Sequence, residues 1–401
     1  MIACWASGAG LSSAHVKLKV LAFLSGAGGS ALSALWTFPS ILGSAFLVTW
    51  GAEAAQFLIS QGLALAILAW LQTLPEFAVE AVIAWHQQTP LLLANLTGAL
   101  RLLTGLGWPV IYLTAAVFHR RRHRTPLKAI QLDEHHSVEV IGLMIPLMYI
   151  AVICAKATLT IADGVILTVI YAAYLAILSK LPPEAPESID ELEVIPRTIV
   201  TAPRMVRLSV ITLLFLAGAA LIRYSAEPFV GSLLAIAAVI GIPSFVAVQW
   251  LAPIVSEFPE MASTVYFARG VDGAPMALMN MVSSNINQWT LLIAMLPVVF
   301  SISAGHVASI PLDSGQQLQL LMTLGQALVA LMFLINMELT WWEAVALLVL
   351  FAVPFVSPVT EKPVTAAYFL WAGYEMWKLA SGQREPVALL RFVETWNKHV
   401  R

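Results

Sequence analysis

Ten apolar stretches, each about twenty residues or longer, leave this chain one kind of fold. They cover about 36–58, 61–86, 90–118, 138–157 and 160–179, then 207–232, 235–268, 274–302, 316–336 and 339–358. A helix needs roughly 20 apolar residues to cross a bilayer. In lipid every backbone N–H and C=O must be paired inside the segment, so such stretches cross as helices. Composition agrees, since 59% of residues are hydrophobic and only 11% are charged. A soluble domain carries about 25% charged residues to cover itself in water. The apolar N-terminal stretch continues beyond the length of a signal-peptide core and reads as membrane structure. The expected fold is an all-α polytopic membrane protein.

The two halves repeat one another. Leu74-Pro75-Glu76 returns as Phe258-Pro259-Glu260, and an asparagine follows each about twenty residues on, Asn95 and Asn280. Leu159-Thr160 with Asp163-Gly164-Val165 resembles Leu339-Thr340 with Glu343-Ala344-Val345. The offsets between halves are 184 residues for the glutamates, 185 for the asparagines and 180 for the third pair. Similar offsets across most of each half point to a duplication. Five spans per copy is an odd number, so the second copy enters the membrane from the opposite side. The expectation is about ten transmembrane helices in two inverted five-helix repeats, 36–180 and 206–360. An N-terminal segment 1–35, a linker 181–205 and a C-terminal segment 361–401 flank them. Stretches 16–35 and 364–381 could each add a helix. The linker, rich in proline and acids, is too poor in apolar residues to be a domain.

Loop charges orient the chain. Arg120, Arg121, Arg122, Arg124 and Lys128 follow the third span, and Lys180, Arg197, Arg204 and Arg207 flank the linker. The loops expected on the other face, around 87–89 and 303–315, hold no Lys or Arg. Loop 119–137 and linker 181–205 are therefore expected in the cytoplasm, and the chain in a cytoplasmic membrane. The tail disagrees: after ten spans Lys378, Arg384, Arg391, Lys398 and Arg401 would lie outside.

A carboxylate within a membrane span is costly and marks a functional site by default. The proline beside it removes a helical N–H, leaving a carbonyl about four residues back unpaired, at Leu71 and Val255. On the helical period Gln72, Glu76 and Glu80 share one face, as do Ser256, Glu260 and Thr264. Glu257 adds a third acid. Carboxylate, amide, hydroxyl and carbonyl oxygens in this number suit a hard cation such as calcium or sodium. Hydrogen bonding between helices, held only for packing, would explain one isolated glutamate better than two at matching proline-flanked positions.

These residues resemble the sodium/calcium exchanger (calcium/cation antiporter) superfamily. Each inverted repeat of that family carries a Gly-Thr-Ser-Leu-Pro-Glu-like motif and a Gly-Asn-x-x-Gly-Ser-Asn-like motif. The first pair here reads Leu71-Gln72-Thr73-Leu74-Pro75-Glu76 and Ala94-Asn95-Leu96-Thr97-Gly98-Ala99-Leu100. The second reads Val255-Ser256-Glu257-Phe258-Pro259-Glu260 and Met279-Asn280-Met281-Val282-Ser283-Ser284-Asn285. The similarity covers the ten-span core. It implies that Glu76 and Glu260 are the main metal ligands. It carries the neighbouring ion-binding roles to Gln72 and Thr73, and to Ser256 and Glu257. On the partner helices those roles fall on Ala99 and Leu103, then on Ser284 and Gln288, with Asn95 and Asn280 in the same motifs. Ala99 and Leu103 have no side-chain oxygen, and Glu257 replaces a small hydroxyl residue, so the halves are unequal.

The resemblance implies secondary active antiport of Ca2+, or another cation, against Na+ or H+. The cations are cargo, and no resident cofactor is expected. Two alternatives stand: a Na+ or K+/H+ antiporter without calcium, and a non-transporting scaffold or sensor that keeps the fold. Arg101 bears on the second. It lies about 200° around the helix from Ala99 and is expected to face away from the site. If it instead paired with Glu76 or Glu80, it would displace a cation. Asp133, Glu134, His135, His136 and Glu139 cluster before the fourth span and could hold a regulatory divalent ion. Their spacing matches no defined site, and a solvated juxtamembrane patch is the plainer reading. Cys4 and Cys154 imply no disulfide framework. No zinc-protease, serine-nucleophile or phosphate-loop motif is present, so an enzyme is not expected. The net charge of −2 carries no partner information; the partners expected are inorganic cations and the lipid bilayer, with no nucleic acid.

Overall fold

The computed structural model describes residues 29–58, 70–71, 73–181, 192–270 and 273–400, and these are largely helical. The first repeat holds α1 (Ala34–Ala55), α2 (Leu74–Trp85), and a third span built of α3 (Ala94–Leu102), a π-helical turn (Leu103–Gly107) and α4 (Trp108–His123). It closes with α5 (Ser137–Lys156) and α6 (Ile161–Leu178). A linker helix, α7 (Val194–Thr201), leads into the second repeat. This holds α8 (Arg204–Ile240), α9 (Ser244–Ser256), α10 (Phe258–Phe267), α11 (Gly273–Asn287), a π-helical turn (Gln288–Leu292), α12 (Ile293–Ala304), α13 (Ser314–Leu334) and α14 (Trp341–Val356). Among the described residues seven helical segments are long and apolar enough to cross a membrane, and α9 and α14 are shorter apolar helices.

Local chemistry explains where these helices start and stop. Pro75 and Pro259 sit in the first turns of α2 and α10, where a missing N–H leaves no bond unmade. Thr160 with Asp163, and Thr340 with Glu343, form capping boxes that start α6 and α14. The third repeated motif of the sequence is thus a pair of helix caps. One boundary moves: the sequence places a break between 232 and 235, yet α8 runs unbroken to Ile240. Pro228 is accommodated inside it, and the helix stops where Gly241 takes φ +79 with Pro243 just beyond. The basic run also shifts, because Arg120, Arg121 and Arg122 form the last turn of α4, where cations favour the helix dipole.

The repeats are clasped symmetrically. Strand β1 (Ala129–Gln131) pairs antiparallel with β4 (Glu338–Thr340), and β2 (Thr158–Leu159) pairs with β3 (Ile310–Pro311). Each pair joins one repeat to the other, and the two pairs mark opposite faces of the bundle. The π turn of each repeat packs on the last helix of the other, Leu103–Gly107 on α14 and Gln288–Leu292 on α6. Helices α1 and α8 lie antiparallel along one another, and α8 also packs on α2 and α9. Thr37 meets Ser232 at 3.1 Å near one end, and a Cβ on Gly51 would touch Leu214 near the other.

Beyond ten spans the chain continues in α15 (Glu361–Ala380) and α16 (Val387–Thr395). Helix α15 lies along α13 so closely that a Cβ on Gly325 would come within 2.9 Å of Tyr368. It returns the chain to the β1–β4 face, where α16 packs on α5 and on the turn Glu134–His136. The basic tail thus lies at the basic face of the bundle, because α15 runs back along α13 and Arg391 meets Glu134 there. Glu375 and Lys378 obscure that helix in the sequence, but they pair with each other at 3.0 Å, and Arg384 meets Glu375 at 2.7 Å. Residues 1–28 and 182–191, which hold most of the N-terminal segment and part of the linker, lie outside the described residues.

Candidate ion-binding site

The two proline breaks place acids in the first turns of α2 and α10, deep inside the bundle. Glu76, Glu257 and Glu260 are all buried. Glu257 occupies the break itself, at φ −82 and ψ −11, joining α9 to α10. The three carboxylates lie within electrostatic reach of one another. Ser256, whose hydroxyl donates to Ala252 O at 3.2 Å, lies beside Glu76 across the repeat boundary. The Ser284 hydroxyl donates to Glu260 Oε2 at 3.2 Å, and Gln288 Nε2 donates to Glu257 Oε1 at 2.7 Å. Among the described residues each acid keeps an oxygen with no donor: Glu76 Oε2, Glu257 Oε2 and Glu260 Oε1. A buried carboxylate oxygen without a donor is costly unless a cation meets it, and oxygen donors alone select hard ions over zinc-like ones.

The second repeat therefore brings Ser256, Glu257, Glu260, Ser284 and Gln288 together, and the first contributes Glu76. Gln288 opens the π turn of its helix, and Leu103 opens the equivalent turn of the first repeat. Such turns re-aim side chains and often mark functional sites. Here one aims an amide at the acids, and the other holds an apolar residue.

The remaining sequence candidates are placed differently. Gln72 lies outside the described residues. Thr73 accepts from Asn287 Nδ2 at 2.6 Å and donates to Trp70 O at 3.0 Å, so its hydroxyl ties the two repeats together. Asn95 is fully buried beside Glu80 rather than among the three acids. Asn280 is half-buried within α11. Asn287 escaped the sequence reading, although it stands three residues after Ser284 and so on a neighbouring face of the helix. Glu80 is also more than one member of a polar stripe: its Oε1 accepts from Leu96 N at 2.7 Å and anchors the start of α3.

Arg101 is settled by its surroundings. Its Nε donates to Thr97 O at 3.2 Å, its Nη1 points at Met322 Sδ, and the guanidinium stacks 5.1 Å from the centre of the Trp250 ring. It makes no contact with Glu76 or Glu80 among the described residues, so the reading in which it displaces a cation is withdrawn. The same helix touches α9 so closely that a Cβ on Gly98 would lie 1.8 Å from Gln249 O. Glycine at this motif position lets two backbones meet.

Two inverted repeats, each placing a proline-flanked acid in the first turn of a helix deep in the bundle, define a secondary cation transporter. The chain belongs to the sodium/calcium exchanger family, whose description, "Sodium/calcium exchanger protein", matches residues 29–180 and 210–357. Among solved structures it is similar to the H+/Ca2+ exchanger CAX, with 30% identity, TM-score 0.81, and 95% of this chain and 94% of that one covered. Structures of the sodium-calcium exchanger NCX_Mj match at TM-scores of 0.51 and 0.52, with 19% and 20% identity over 85% of this chain and 99% of that one. These last share the fold. A search among curated proteins returned no match.

Proposed function

We propose that this protein is a secondary active antiporter that exchanges calcium for protons across a cytoplasmic membrane. The observation that carries the reading is the cluster of Glu76, Glu257 and Glu260, drawn from both repeats, each with an oxygen that lacks a donor among the described residues. Two ionised glutamates balance one Ca2+ and supply the oxygen donors it prefers. When calcium leaves, the charge of the acids has to be balanced again, and protons do so without further ligands. Sodium as counter-ion would need a larger set of neutral oxygens. Ala99 and Leu103 take two away from the first repeat, and Glu257 replaces a hydroxyl residue with an acid. The 30% identity to an H+/Ca2+ exchanger supports the same choice.

In this mechanism the cation sits between α2, α10 and α11 and is offered to one face at a time. The repeats rock about the site while the α1–α8 couple moves against the rest. The basic β1–β4 face lies in the cytoplasm by the positive-inside rule. The scaffold reading loses its support, since Arg101 faces Trp250 and Met322 and leaves the acids unblocked.

The test is radiolabelled calcium flux in proteoliposomes with proton, sodium and calcium gradients imposed separately. Uptake should follow an imposed proton gradient, collapse with a protonophore and ignore a sodium gradient. Calcium flux indifferent to the proton gradient would overturn proton coupling. Flux that survives Glu76→Gln and Glu260→Gln together would overturn the site.

A further inference from the structure

One cluster of metal-ligating side chains lies away from the transport acids, at the basic face. Asp133, His135 and His136 each offer one ligand atom, and these atoms all lie within 4.8 Å of one another. The sequence reads the region as a solvated patch, but His136 is buried and its ring lies 4.2 Å from that of His135. Asp133 Oδ2 stands 4.0 Å from His136 Nε2. Chain geometry builds the arrangement. Asp133 is extended, and the turn Glu134–His136 folds back so that His136 N donates to Asp133 O at 3.1 Å.

Ligands around a tetrahedral zinc ion, bound at about 2.0–2.1 Å, stand roughly 3.3 Å apart. Closing the gap asks Asp133 and His135 to move by about 1 Å, and both reach the surface, while His136 is held by packing. Two imidazoles with one carboxylate, and water to complete the shell, favour zinc-class ions over calcium, which prefers oxygen. The neighbouring acid does not compete, because Glu134 meets Arg391 of α16 at 2.6 Å.

The position gives such an ion leverage. Strand β1, two residues before Asp133, pairs with β4 of the other repeat, α5 begins directly after His136, and α16 packs on the turn. We propose that Asp133, His135 and His136 form a surface site for a zinc-class divalent ion, which stiffens the head of α5 and slows exchange. The regulatory half rests on the antiporter reading, whereas the site itself does not.

The experiment uses the full chain in detergent, stripped by chelation and titrated with Zn2+ by calorimetry and with Co2+ by visible absorption. One Zn2+ per chain is expected, with affinity at least about tenfold weaker in His135→Ala and in Asp133→Asn. Millimolar Ca2+ should not compete. Zinc binding that is absent from the wild type, or unchanged in both variants, overturns the site. In proteoliposomes Zn2+ should slow calcium flux several-fold in the wild type and not in the two variants. Equal slowing in all three overturns the regulatory role. If no cation flux is seen in any of them, the antiporter reading fails while the cobalt spectrum still reports on the site.

Discussion

Replacing Arg384 with Met should loosen the whole C-terminal half of the bundle. Its Nη1 donates to Glu375 Oε2 at 2.7 Å, and its Nη2 meets Glu343 Oε1 at 3.2 Å, Asn336 Oδ1 at 3.0 Å and Phe333 O at 3.1 Å. Both acids are almost wholly buried, with side chains 2% exposed. Removing one partner of a buried ion pair costs about 3–5 kcal/mol, because the other charge stays buried. Here Glu375 keeps Lys378, and Glu343 keeps the N–H and hydroxyl of Thr340, so the lower end, about 3 kcal/mol, applies. At about 2 °C per kcal/mol or slightly less for a chain this long, melting should fall by about 5 °C. Tryptophan fluorescence during heating of the detergent-purified protein reads this out directly, since the chain carries 13 tryptophans. The counterpart in the first repeat is the control. Lys156 is partly exposed, and Asp163 keeps Tyr149 and Thr160, so Lys156→Met should shift melting less than half as far. An Arg384→Met protein that melts within about 1 °C of wild type would refute the reasoning, as would a larger shift from Lys156→Met.

Other substitutions probe the site and the topology. Gly98→Ala has no room beside Gln249 O and should cost about 1–3 kcal/mol or more by overpacking, while Gly231→Ala, with open space around it, should be tolerated in the same melting assay. Glu80→Gln keeps an acceptor for Leu96 N and should preserve stability, whereas Glu80→Ala strands that buried donor and should cost about 1–3 kcal/mol; equal stability of the two would remove the anchoring role. Arg101→Met should leave the ratio of ions exchanged unchanged in reconstituted flux, and an altered ratio would return the arginine to the pathway. In a background without Cys4 and Cys154, cysteines at Thr125 and Lys398 should react with an impermeant thiol reagent from one side of the membrane, and a cysteine at Val307 from the other. Opposite labelling of the first two would eliminate the traverse by α15.

The parts of the site that could be read in advance are those whose chemistry is local. Proline beside a carboxylate in an apolar stretch marks a candidate ion-binding acid, so Glu76, Glu257 and Glu260 stood out at once. Asn287 did not, and Glu80 was legible only as part of a polar stripe, because their roles depend on partners 214 and 16 residues away, Thr73 and Leu96. Asn95 and Asn280 had a matching place in the repeat, and the fold gives them different surroundings. Helix α15 stayed ambiguous for a related reason. Its charges look prohibitive for a span until Arg384 and Lys378 are seen beside Glu375.

Hydropathy, the proline-flanked acids and the near-constant offset between halves follow from the residues themselves, because lipid permits helices alone and burial of charge is too costly to be casual. From them the sequence determined a helical membrane protein, a duplication and an inverted topology. Tertiary structure decided which of the candidate oxygens meet. Pairing in a low-dielectric interior is a matter of a few ångströms, and that distance is set by how α2, α10 and α11 cross. It also decided which way Arg101 faces, and that a further helix carries the basic tail back to the basic side.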